Sequence, residues 1–151
     1  MSGVEDLYQE MILDHYKSPR NFGKLENPDS EIEGRNPLCG DHLVVQMRFE
    51  KDQIAEVAFE GDGCAISKAS ASVMTETIRG MTRGEFQEVF AVFQALVTGV
   101  ESDSVLELGK LAAFGGVAAF PARVKCAVLA WHTAKAALEG HKGSISTEEK
   151  V

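Results

Sequence analysis

The hydrophobic pattern changes twice along the chain, and its first part predicts one helix followed by three strands. Apolar residues recur at helical spacing from residue 4 to residue 15, before a break at Ser18-Pro19. Apolar and polar residues then alternate over 42–50, which is typical of a half-buried antiparallel strand. A turn at 51–53 leads to a strand around 55–59, and a shorter strand is predicted at 31–35.

From residue 61 onward the pattern is helical. One helix is predicted from about Cys64 to Gly80, and a capping box of Thr82 and Glu85 opens the next. Two more helices are predicted, one from Ser104 to Gly115-Gly116 and one from Pro121 to Gly140. We therefore predict an α+β fold, with a small three-stranded antiparallel sheet, one N-terminal helix and several packed C-terminal helices. Residues 1–140 form a single predicted domain, and 141–151 a polar tail.

The negative net charge of the chain argues against partners that are themselves strongly negative. The chain has 15 basic and 23 acidic residues and a formal net charge of −8. Nucleic acids and anionic membranes attract basic proteins, so we expect neither as a partner. The longest mostly apolar stretch, 89–100, is too short to span a bilayer, and the acidic N-terminus is unlike a secretory signal. We therefore expect a soluble, cytoplasmic protein.

The three cysteines lie at junctions between predicted elements. Cys39 precedes the alternating strand, and the following Gly40 can adopt a positive φ that lets Cys39 and Asp41 converge. Cys64 stands at a strand-to-helix switch, where the first helical N–H groups favour a thiolate. Cys126 is predicted to lie off the apolar stripe of the last helix, on the same face as Arg123.

Three thiols and one carboxylate form a ligand set suited to a tetrahedral metal. Composition alone does not decide between such a site and three unrelated buried cysteines. The placement at junctions and the neighbouring glycines favour the metal site. A carboxylate is a weaker ligand than a fourth thiolate for a borderline-soft ion, which predicts a labile site from which a thiolate can leave and react.

The same segments resemble the IscU/SufU family of iron–sulfur cluster assembly proteins, the group of NifU N-terminal-like domains. The resemblance is carried by NPLCGD (36–41), GDGCAISKASASVMTE (61–76) and RVKCAVLAW (123–131), and extends to DHYKSPRNFG (14–23). It covers nearly the whole chain. It implies the SufE/IscU-like fold, an antiparallel sheet with packed helices, in agreement with the pattern above.

Two departures point to the SufU branch of this family. IscU-type scaffolds have a His directly before the third cysteine, where this chain has Lys125. The stretch between the second and third cysteines is also longer. For the SufU branch the resemblance implies a zinc-dependent sulfurtransferase that works with a SufS-type cysteine desulfurase and downstream cluster-assembly proteins. Carried over residue by residue, Cys39, Asp41, Cys64 and Cys126 would bind Zn²⁺, and Cys39 would accept the persulfide sulfur.

We also predict a supporting role for Arg123, which the family resemblance does not imply. Its position on the same face of the last helix as Cys126 would let it stabilise a released thiolate or persulfide. Two rival hypotheses stay open. One is a scaffold that assembles a [2Fe–2S] cluster, or holds iron, on the same four residues. The other is a purely structural zinc domain. Lys125 argues against the scaffold, because an ammonium group cannot replace imidazole as a ligand.

Overall fold

The computed structural model describes residues 3–100, 109–141 and 143–147. Its elements follow the predicted α+β order. The helices and strands are α1 (Gly3–Lys17), β1 (Ser30–Asn36), β2 (Asp41–Glu50), β3 (Gln53–Asp62), α2 (Ala65–Ile78), α3 (Arg83–Thr98), a 3-10 helix (Gly109–Ala119), α4 (Pro121–Leu138) and β4 (Gly143–Ser146).

The sheet has four strands in the order β3-β2-β1-β4, one more than predicted. β1, β2 and β3 form the expected antiparallel meander, whereas β4 pairs parallel to β1, so the sheet is mixed. The sequence analysis placed 143–146 in a polar tail. With Ile145 as its only apolar residue, this segment has no alternation to reveal a strand; the free edge of β1 supplies its hydrogen-bonding partner.

The core lies between one face of the sheet and the helices. Leu43, Val45 and Met47 of β2 are fully buried, as their alternation predicted. Trp131 of α4 is fully buried as well, and its ring stacks on Phe93 with 4.6 Å between centroids. The helices and the sheet therefore share one hydrophobic core.

Helix α4 runs through the middle of this core and contacts α2, α3, the 3-10 helix, β1 and β2. Its buried residues are therefore consecutive from Cys126 to Trp131 and do not form one stripe. The prediction that Cys126 lies off an apolar stripe was wrong in this respect, because neighbouring elements pack around most of the helix from Cys126 onward. Cys126 itself is fully buried.

The segment before α4 is a 3-10 helix where an α-helix was predicted; the predicted start at Ser104 lies outside the described residues. Its buried residues are Leu111, Phe114 and Val117. A spacing of three places side chains on one face of a 3-10 helix, and glycines disfavour the α-helical alternative. The two capped helices agree with prediction: Thr82 and Glu85 form the capping box of α3, and Cys64 is the N-cap of α2.

Helix α1 is anchored by His15, whose side chain is buried against α2. Its Nδ1 lies 2.7 Å from Ser72 Oγ, and its Nε2 lies 3.3 Å from Nζ of Lys110 in the 3-10 helix. Burial lowers the pKa of His15, and the positive charges of Arg20 and Lys110 lower it further. The imidazole is therefore neutral at pH 7. In the part of the chain described, no helix combines the length and apolar composition needed to cross a bilayer.

Candidate metal centre

The site lies where the turn between β1 and β2 meets the beginnings of α2 and α4. Cys39 stands in the tight turn of residues 37–40, and its N–H donates to Asn36 O at 3.2 Å. Gly40 has φ +73°, the conformation predicted for it, and Asp41 follows as the first residue of β2. The turn leaves Cys39 exposed and Asp41 only 2% exposed.

Cys39, Asp41 and Cys126 come together at this point. One ligand atom from each of these three residues lies within 4.8 Å of the other two. The two thiols are 3.3 Å apart, measured from Cys126 Sγ to Cys39 Sγ. Residues far apart in sequence therefore meet only because α4 packs against the end of β1.

Cys64 is connected to this group through its backbone. Its N–H donates to Asp41 Oδ1 at 2.9 Å, while its Sγ accepts the N–H of Ser67 at 3.4 Å as the N-cap of α2. The cap position agrees with the predicted strand-to-helix switch. In this rotamer the Cys64 side chain lies outside the group of ligand atoms within 4.8 Å of one another. The structure therefore groups three of the four predicted ligands, Cys39, Asp41 and Cys126.

The electrostatics of the site depend on how deeply each thiol is buried. Burial raises the pKa of Cys126, and contacts with the Cys39 thiol, the Cys64 thiol and the Asp41 carboxylate raise it further. Without a bound cation Cys126 is therefore protonated. Arg123 is exposed on the first turn of α4, and negative charge on the sulfurs of Cys64 and Cys126, and to a smaller extent of Cys39, raises its pKa when these groups are ionised.

The donor set fits a thiophilic metal ion. Two sulfurs bound to one tetrahedral zinc ion lie about 3.8 Å apart, so the sulfurs of Cys39 and Cys126, which are 3.3 Å apart, would separate slightly on binding the ion. The buried hydroxyl of Ser67 lacks a hydrogen-bond partner among the described residues and lies next to Cys64 along the first turn of α2. Buried polar groups are rarely left without a hydrogen-bond partner. An unpaired hydroxyl beside Cys64 is therefore consistent with a site that binds a metal ion.

Sequence reasoning missed one residue of the site, Asn36. It is the last residue of β1, and its side chain is fully buried. Its amide Nδ2 donates to Asp41 Oδ2 at 3.2 Å and lies 3.6 Å from Cys126 Sγ. Asn36 opens the NPLCGD segment, but a polar residue beside a turn gives no sign in sequence that it faces inward.

Comparison with known proteins places the chain in a family. Residues 7–127 match the family described as the NifU-like N terminal domain. This chain belongs to that family. The IscU/SufU assignment made from the cysteine-containing segments is thereby confirmed.

Individual relatives come from both branches. The chain is 41% identical over 130 residues to the zinc-dependent sulfurtransferase SufU of Bacillus subtilis (strain 168), which covers 86% of this chain and 88% of that protein. It is 37% identical over 139 residues to the iron–sulfur cluster assembly scaffold protein IscU of Streptococcus pyogenes serotype M1, covering 92% and 87%. A crystal structure of FiSufU from Fervidobacterium islandicum AW-1, described as an iron–sulfur cluster assembly scaffold protein for the SUF system, matches with a TM-score of 0.81 and 40% identity, over 90% of this chain and 99% of that one.

Proposed function

We propose that this protein is a zinc-dependent sulfurtransferase of iron–sulfur cluster assembly, which accepts persulfide sulfur from a SufS-type cysteine desulfurase on Cys39. The observation that carries the proposal is the pairing of an exposed thiol with a buried one. Cys39 is reachable from solvent, whereas Cys126, 3.3 Å away, is fully buried. A sulfur acceptor needs a thiolate that the persulfide of the desulfurase can reach, and of these two thiols only Cys39 is exposed.

The residues that would hold zinc are Cys39, Asp41, Cys64 and Cys126. When bound, zinc would keep the thiols deprotonated without redox chemistry of its own. Cys64 would join the group by exchanging its cap contact with the N–H of Ser67 for the metal. Asp41 is held in place meanwhile by the Cys64 N–H and the Asn36 amide, so the carboxylate needs no reorganisation.

The transfer itself falls to Cys39. Its thiolate attacks the outer sulfur of the desulfurase persulfide; a sulfur–sulfur bond forms at Cys39, the bond in the desulfurase breaks, and the desulfurase cysteine leaves as a thiolate. The turn that carries Cys39 projects from the sheet, with its neighbour Leu38 62% exposed, so a partner's active site can reach it. The Arg123 guanidinium lies on the same side and would stabilise the negative charge of the thiolate or of the new persulfide.

The alternative function is a scaffold on which a [2Fe–2S] cluster is assembled and from which it is transferred. Its support is the similarity to the Streptococcus pyogenes IscU scaffold, and three thiols with a carboxylate would also suit a cluster. Lys125 stands against it. This residue lines a groove between α4 and β4, together with Leu129 and His132, and an ammonium group cannot ligate iron.

The test is the turnover of a SufS-type desulfurase under reducing conditions, with and without this protein. We expect a large increase in turnover that is abolished by Cys39→Ser or by removal of zinc. Leu38→Met is the matched control, since it alters the exposed neighbour without touching a thiol, and should retain the increase. Mass spectrometry of the stalled reaction should find one added sulfur atom on Cys39.

The rival hypotheses give different results in the same experiment. A scaffold would leave desulfurase turnover unchanged and would build a cluster that passes to an apo-acceptor. A structural zinc domain would lose its helical circular dichroism signal in Cys39→Ser. Unchanged turnover together with cluster transfer would refute sulfur transfer through Cys39, whereas a folded Cys39→Ser protein that no longer stimulates the desulfurase would exclude a purely structural zinc domain.

A further inference from the structure

The buried side chain of Asn36 connects the metal centre to the residue that follows the C-terminal strand. Strand β4 pairs with β1 in a parallel register that ends at Arg35 and Ser146, and the N–H of Thr147 continues it by donating to Arg35 O at 2.9 Å. This places Thr147 beside Asn36, the residue that ends β1. The hydroxyl of Thr147 donates to Asn36 Oδ1 at 3.1 Å.

The orientation of the Asn36 amide follows from its neighbours. An ionised carboxylate only accepts hydrogen bonds, so the amide nitrogen must face Asp41 and the amide oxygen must face away from it. The oxygen then needs a donor, because Asn36 is fully buried and an unpaired buried carbonyl is costly. Thr147 supplies that donor. The same amide nitrogen lies 3.6 Å from Cys126 Sγ, so one group faces two of the proposed ligands.

We propose that Asn36 is a positioning residue of the metal centre and that Thr147, at the end of β4, holds it in the orientation that the centre requires. The inference rests on the proposed function, since it concerns the same four ligands. Residues that hydrogen-bond to metal ligands fix the orientation of those ligands, and their mutation typically weakens metal binding by about 10- to 100-fold. The C-terminal strand is in this sense part of the site, although none of its residues is a ligand.

The test measures zinc affinity of the full-length protein by competition with a chromophoric chelator. Thr147→Val replaces the hydroxyl by a methyl group of similar shape, and we expect zinc to bind about fivefold more weakly, as for the loss of one neutral hydrogen bond. Thr147→Ser is the matched control, because it keeps the hydroxyl and should bind zinc like the natural protein. Asn36→Ala removes the donor itself and should weaken binding by about 10- to 100-fold.

The double variant separates positioning from a general effect on folding. If Thr147 acts through Asn36, adding Thr147→Val to Asn36→Ala should cause no further loss of zinc affinity. Equal affinities of Thr147→Val and Thr147→Ser would overturn the inference, and so would additive losses in the double variant. Should Asn36→Ala not fold, the comparison of the two Thr147 variants still decides.

A failure of the proposed function looks different. In that case the natural protein itself would not bind zinc tightly, or would bind it without stimulating the desulfurase. Urea unfolding of the metal-free Thr147 variants completes the experiment. A loss of zinc affinity that merely reflected unfolding would require a substantial unfolded fraction of metal-free Thr147→Val under the assay conditions, and this result too would count against a positioning role.

Discussion

At Gly34, β1 packs against α4 with no room for a side chain, and replacing this glycine with alanine tests whether the contact sets the geometry of the site. A Cβ at Gly34 would overlap the hydroxyl of Thr133 and would lie 3.2 Å from Thr133 Cβ and 3.3 Å from Leu129 Cδ1. Thr133 is fully buried, and its hydroxyl donates to Leu129 O at 2.7 Å. The overlap can be relieved only if Thr133 gives up that bond or α4 moves away from the sheet.

The magnitude follows from these two costs. Overpacking a close-packed core by one methyl group costs about 1–3 kcal/mol, and loss of the Thr133 hydrogen bond adds about 1 kcal/mol. We therefore expect Gly34→Ala to lower the free energy of unfolding by about 2–4 kcal/mol. Zinc affinity should fall as well, because β1 carries Asn36 and α4 carries Cys126, and their separation depends on this contact.

Urea unfolding followed by circular dichroism measures the effect, with the slope of the transition as a check on two-state behaviour. Adding Thr133→Ala removes the overlapping hydroxyl, so the double variant should be more stable than Gly34→Ala alone. Gly84→Ala is the matched control. Gly84 lies in the first turn of α3, and a Cβ there would be 4.0 Å from its nearest neighbour, Thr82 Oγ1, so this variant should be neutral or stabilised by up to about 1 kcal/mol. A Gly34→Ala protein as stable as the natural one, or a double variant without recovery, would refute the reasoning.

Three further predictions concern other parts of the molecule. Burial lowers the folded-state pKa of His15 below the unfolded value of about 6.5, so its contribution to stability is complete above that pH and is lost as the pH falls below it. The free energy of unfolding, measured with urea between pH 7 and 5, should therefore decline less steeply in His15→Gln than in the natural protein, and an equal decline would contradict this. Burial also lowers the pKa of His132, so His132→Asn should have an effect in the same direction. Thr82→Ala removes the cap of α3 and should cost about 1 kcal/mol in thermal unfolding, whereas the exposed Thr98→Ala should cost clearly less; equal losses would argue against the cap. Arg123→Ala should slow desulfurase stimulation by about two- to fivefold, a small effect because the guanidinium is exposed, with zinc content unchanged; full stimulation would exclude this role.

Much of the fold could be predicted because most of its helices and strands are marked by patterns within short stretches of sequence. Strand β2 alternates apolar and polar residues against a single core face, and α3 begins with a capping box that needs only Thr82 and Glu85. The elements that were missed depend on their surroundings. β4 has one apolar residue and forms because β1 has a free edge with which it can pair. The 3-10 helix depends on the burial of Leu111, Phe114 and Val117, whose spacing of three suits that helix type.

The candidate site divides in the same way. The cysteine-containing segments identified the family, and the family's motifs named Cys39, Asp41, Cys64 and Cys126; that these residues bind zinc stays a proposal. Their environments could not be predicted. Cys126 was expected off the apolar stripe of α4, on the face of Arg123, yet it lies in a run of consecutive buried residues, because the extent to which a helix is buried depends on how many neighbours pack around it.

By itself, the sequence determined the family, the order of the elements and the residue types available for chemistry, since these depend on local patterns and on motifs. Only the tertiary structure decided which thiol is exposed and which is buried, that Asn36 faces Asp41, and that Thr147 reaches Asn36 from the opposite end of the chain. The physical reason is that hydrogen bonds and burial at this site join residues brought together by packing, and packing is a property of the whole chain.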